Sequence, residues 1–234
     1  MPAPRRLRAL LPLLAAALLS LGLAPSAMAA VAAVAAPASP VQVGFATISD
    51  LSINGVATTM ATVDPGSQVS ITATVADDHG TYCVSCIDNV PIGLSGAANP
   101  AGCLEDTGFT GNTYTNTVMV TAPTEPGVYD VVAEANYTYY CSQNWDGSGT
   151  TIAELVVPAT SSQLCSMVKA DVTRAGVGKA LCAKLSAAQR AADRGQTRTS
   201  TNILRAFEHQ VAAQTGKSLT TDQADLLSLL ASLL

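Results

Sequence analysis

Val69-Ser-Ile-Thr-Ala-Thr-Val75 alternates apolar and hydroxyl-bearing residues without a break. A period of two is the spacing of a half-buried β-strand, because successive side chains leave a strand on opposite faces. Working outward, Tyr129, Val131, Ala133, Ala135, Tyr137 and Tyr139 keep the same period. Tyr114 to Val120 and Thr151 to Val157 read as further strands, with turns at Asn54-Gly55, Pro65-Gly66 and Pro126-Gly127. Short strands, frequent turns and Thr/Val enrichment predict an antiparallel sandwich of about seven strands over residues 41–158.

Beyond Pro158 the period changes. Leu164, Val168 and Val172 recur at fours, followed by Leu181, Leu185, Ala188 and Ala192, then Ile203, Phe207 and Val211, then Leu226, Leu227, Leu230 and Leu234. That is the stripe of amphipathic helices. Gly176, Gly178, Gly195 and Gly216 punctuate four of them, and Thr220-x-x-Gln223 is a capping box for the last. Charge divides the chain at the same place. Residues 41–158 carry twelve acids and not one Lys or Arg, whereas the remainder is mildly basic. Residues 159–163 read as a linker. The contrast predicts weak docking, with some of Lys179, Lys184, Arg190, Arg194 and Arg198 facing the acidic sheet.

The N-terminus places this chain outside the cytoplasm. Arg5, Arg6 and Arg8 precede an apolar run from Leu10 to Leu23, and Ala27-Met-Ala29 is a small-x-small cleavage signature. Residues 1–29 therefore read as a signal peptide and 30–40 as a flexible leader. The expectation is a secreted protein, extracellular or periplasmic, with no membrane insertion after cleavage. In such a compartment the six cysteines, Cys83, Cys86, Cys103, Cys141, Cys165 and Cys182, read as three disulfides. Cys165 and Cys182 fall on neighbouring helices and are expected to pair. The other four allow three connectivities.

Two resemblances add to this. Thr121-Ala-Pro-Thr-Glu-Pro-Gly-Val-Tyr129, Cys83-x-x-Cys86-Ile-Asp88 and Tyr139-Tyr-Cys141 resemble immunoglobulin-like modules of secreted bacterial proteins, a likeness that implies no activity. Lys184-Leu-Ser-Ala-Ala-Gln-Arg-Ala-Ala-Asp-Arg-Gly195, Ala206-Phe-Glu-His-Gln-Val211 and Gly216-Lys-Ser-Leu-Thr-Thr-Asp-Gln-Ala-Asp-Leu-Leu227 resemble the FIMAH domain, a helical module at the C-termini of secreted bacterial proteins. The second resemblance covers the last third of the chain and implies an accessory role. The expected fold class is multidomain, with an all-β immunoglobulin-like sandwich followed by a small all-α four-helix domain over 164–234.

Chemistry-bearing residues are sparse. His79-x3-Cys83-x2-Cys86 with Cys103 or Cys141 could ligate zinc, but oxidation competes with thiolate ligation in an exported chain. Asp106-Thr-Gly108 matches the short signature of aspartic proteases, without a second copy in the chain. It leaves a carboxylate hydrolase as the alternative function. Asp50-x-Ser-x-Asn-Gly55 resembles half of a calcium loop but lacks its closing glutamate, so a hairpin is the better reading. Carboxylates without basic partners favour a hard cation, and Asp77-Asp78 is one example of where calcium could bind on so acidic a surface. No catalytic residue, cofactor or metal site is assigned. His79 and His209 lie in different halves, which leaves no local His-based constellation. Trp145, Tyr139 and Tyr140 are the candidate ligand contacts, although Trp145 is better read as covering the end of the sandwich, since Trp is usually largely buried. The expected function is a secreted, non-enzymatic binding or adhesion-type protein for a polysaccharide or a cell-surface protein, with a purely structural accessory role as a further alternative. So acidic a sandwich argues against nucleic acid, which needs clustered Lys and Arg.

Overall fold

The computed structural model describes residues 39–77, 87–108 and 113–234. The expected signal peptide, most of the leader, and His79, Cys83 and Cys86 lie outside the described residues. Ten strands precede four helices: β1 (Val41–Val43), β2 (Ala46–Ile53), β3 (Val56–Ala57), β4 (Met60–Thr62), β5 (Gln68–Asp77), β6 (Asp88–Leu94), β7 (Gly102–Gly108), β8 (Thr113–Thr121), β9 (Gly127–Ala133) and β10 (Thr150–Val157), then α1 (Ser161–Asp171), α2 (Ala175–Asp193), α3 (Thr197–Gln214) and α4 (Thr221–Ser232). One sheet runs β1-β2-β5-β8, with β3 paired to β2; the other runs β4-β10-β9-β6-β7. Pairing is antiparallel except between β4 and β10.

The period-two reading of β5 holds, since Val69, Ile71, Ala73 and Val75 are all fully buried between the sheets. Asn54 and Gly55, both with positive φ, turn β2 into β3 and leave Ile53 opposite Val56. A two-residue hairpin loop needs that backbone, which Asn and Gly adopt at low cost. Tyr129 donates its hydroxyl to the Glu125 carbonyl at 2.9 Å, an arrangement known as a tyrosine corner. Burial, then the Glu125 charge, raises its phenol above the usual value.

The expected fold class needs correction. The helices, of 11, 19, 18 and 12 residues, are too large a share of the chain to be a small appendage to a pure sandwich. The described residues, from 39 onward, fall in one compact unit of mixed α and β structure. Strand β10 serves two cores: Leu155 and Val157 point between the sheets, while Val156 packs with Leu164, Leu181, Phe207 and Leu227 of the helices. Ala159 is buried in that helical core, and Thr160 caps α1 through a capping box with Gln163.

The expected electrostatic docking bears on where the helices meet the sheet. Helix α4 lies close to β9, and Met60, Val128, Glu154, Asp222, Asp225, Leu226 and Leu229 line a cavity there. The charged residues that line it, Glu154, Asp222 and Asp225, are all acidic. Of the five bases expected to face the sheet, Lys184 instead donates its Nζ to Gln210 within the helices.

Candidate functional site

Two features of the sandwich carry chemistry. The first is a cluster of three buried carboxylates, Asp77, Asp88 and Glu105, each offering an oxygen within 4.8 Å of the others. Asp77 ends β5 on the inward parity of Val69, Ile71, Ala73 and Val75, so the alternation that builds the core also carries a carboxylate into it. Asp88 opens β6 and is fully buried, and Glu105, on β7, is 1% exposed. Glu105 reaches the interior through a bulge. Val90 pairs with Glu105 and Pro91 with Cys103, which leaves Leu104 as an extra residue on β7, and both Leu104 and Glu105 are buried. Bulges beside sites commonly re-aim a side chain in this way. The sequence points to Asp77 and Asp78; Asp78 lies outside the described residues, and Asp88 and Glu105 join Asp77 instead.

Among the described residues, no N–H group and no Ser, Thr or Tyr hydroxyl reaches any of the four carboxylate oxygens of Asp77 and Glu105. Burial first, then a proton shared with Asp77 and the charges of Asp77 and Asp88, push the Glu105 carboxyl up to about 9. Such a cluster can do two things chemically: hold a shared proton, or hold a hard cation on oxygen ligands. The neighbouring Asp106 stands exposed on β7, outside the cluster.

The second feature is the tyrosine-bearing segment after β9. The expected strand face through Tyr139 stops at Ala133. Asn136 and Asn89 then exchange backbone hydrogen bonds, each 2.9 Å, and the buried Asn89 side chain donates to the carbonyl and hydroxyl of Thr138. A disulfide joins Cys103 of β7 to Cys141, so neither sulfur is a thiolate ligand. Between these anchors Tyr137, Tyr139 and Tyr140 are 51%, 69% and 72% exposed. The Tyr137 ring lies against Phe45, with centroids 4.6 Å apart.

Trp145 belongs to the adjoining loop but faces inward. Its Nε1 donates to the Ala97 carbonyl at 2.9 Å, and its ring lies over Gly93, where a Cβ would stand 3.0 Å from Cζ2. Glu134 holds the loop by accepting from the backbone of Gly147 at 2.9 Å. Gly147 has φ 73°, and a Cβ there would stand 2.9 Å from the Gly96 nitrogen, so the turn requires glycine. The second disulfide joins Cys165 of α1 to Cys182 of α2. Two disulfides fit an oxidising compartment. No helix among the described residues is long and apolar enough to cross a membrane.

No protein-family model matches the chain, and no characterised protein matches it in sequence. Among solved structures it is similar to domains 4 and 5 of the S-layer protein SbsC, at 14% identity and a TM-score of 0.25. The likeness covers 52% of this chain and 54% of that one. At that score it carries no argument about function.

Proposed function

We propose that this chain is an exported, non-enzymatic binding protein that presents Tyr139 and Tyr140 to an extracellular polysaccharide. The observation that supports it is the high exposure of these two tyrosines on a backbone tied down by Asn89 and by the Cys103–Cys141 disulfide. A tyrosine offers a flat apolar ring with a polar tip, which suits the face and hydroxyls of a sugar. Anchoring both sides of the segment lowers the ordering cost of binding. In this reading the helices play an accessory part, in keeping with the resemblance of residues 164–234 to FIMAH.

The test is retention of the purified protein on a panel of cell-wall and matrix polysaccharides. Retention by at least one polymer is expected, with a loss of about tenfold or more in Tyr139→Ala/Tyr140→Ala, as removing stacked aromatics costs on the order of 1.4 kcal/mol or more. Retention by none, or equal retention of the double variant, would overturn the proposal.

A further inference from the structure

We propose that Asp77, Asp88 and Glu105 form a calcium site between the two sheets of the sandwich. The cluster draws one ligand from β5 in one sheet and two from β6 and β7 in the other. The oxygens of Asp77 and Glu105, which no N–H or hydroxyl group reaches, belong to residues 5% and 1% exposed and are aimed into this cluster. Buried carboxylates without donors are costly unless something compensates their charge. Residues 41–158 contain no Lys or Arg to do so.

The donor type and its adaptable coordination favour calcium. Calcium binds oxygen at about 2.3–2.6 Å, so opposite ligands stand up to about 5.2 Å apart. One oxygen from each of the three residues lies within 4.8 Å of the others, so all three can reach a single ion of that size. Magnesium, at about 2.0–2.1 Å, demands near-ideal octahedral geometry and dehydrates reluctantly, so a dry carboxylate cluster suits it less. Zinc prefers nitrogen and sulfur, which the cluster lacks. Three carboxylates, each able to bind through one or two oxygens, supply from about three to six of the roughly six to eight ligands calcium takes. Because Asp77 ends β5 and Asp88 begins β6, the ion would fasten the sheets together where the chain crosses between them.

The experiment is a calorimetric titration of the EGTA-stripped protein with calcium and with magnesium, alongside thermal unfolding. The expected result is one calcium per chain, binding more tightly than magnesium, with a Kd between about 10⁻⁵ and 10⁻³ M. A roughly hundredfold excess over Kd should raise Tm by about 5–10 °C. Glu105→Gln and Asp77→Asn should each weaken binding by about tenfold or more, since each removes a charged ligand. Should either variant fail to fold, terbium luminescence of the wild-type protein decides instead: a calcium-displaceable ion with most of its water shell lost supports the site. Absence of any calcium response in the wild type, a terbium ion that keeps its water shell, or unchanged binding by folded variants would overturn the proposal.

Discussion

Removing the Cys103–Cys141 bridge is the most informative perturbation of the sandwich, because it loosens the tyrosine segment without cutting into the core. The bridge closes a sequence separation of 38 residues. The chain-entropy relation for a loop of that size gives about 4 kcal/mol at 25 °C. For a chain of this length each kcal/mol moves Tm by roughly 2–4 °C, so Cys103→Ala/Cys141→Ala should lower Tm by about 8–16 °C. The Asn89 contacts to Asn136 and Thr138 remain, so the segment should stay attached at its start and loosen at Tyr139 and Tyr140. Thermal unfolding of the oxidised proteins gives the shift, and hydrogen exchange locates the loosening. Thiol labelling of the variant checks that the remaining cysteines have not reshuffled. A fall in Tm below about 3 °C, or loosening spread evenly over the sandwich, would refute the reasoning.

Phe207 is fully buried in the helical core, and Phe207→Ala should cost about 3–5 kcal/mol by denaturant unfolding. Thr220 caps α4 with Gln223 in a capping box, so Thr220→Ala should cost roughly 0.5–2 kcal/mol in the same assay. At the seam, Glu154→Lys would place a cation beside Asp222 and Asp225, and a gain of up to about 1 kcal/mol is expected at low salt, fading in roughly 1 M salt. A loss at low salt would show that the acids at the seam do not repel.

The strands and helices are largely legible because their signals are local. Val69 to Val75 alternate on the parity that the core confirms, and Leu181, Leu185, Phe207 and Val211 lie on the buried helical faces. Thr160-x-x-Gln163 has the same capping pattern as Thr220-x-x-Gln223, yet its place just after Pro158 gives it the look of a linker. Asp77 is legible as a core position, since it continues the parity of Val75. Glu105 is not: a bulge at Leu104 reverses its direction, and nothing in a strand's alternation announces a bulge. Charge contrast suggests which halves attract, but the seam depends on which helix face the fold turns toward the sheet. Met60, Val128, Leu226 and Leu229 line the cavity on that side.

The tyrosine segment is tested most directly as a contact surface by an equilibrium titration with whichever polysaccharide retains the protein, comparing wild type, Tyr139→Ala/Tyr140→Ala and Trp145→Phe. Because Trp145 faces Gly93 and Ala97, Trp145→Phe should bind as wild type does, while the double variant weakens by about tenfold or more. Equal affinity of the double variant, or loss confined to Trp145→Phe, would contradict a binding surface at Tyr139 and Tyr140.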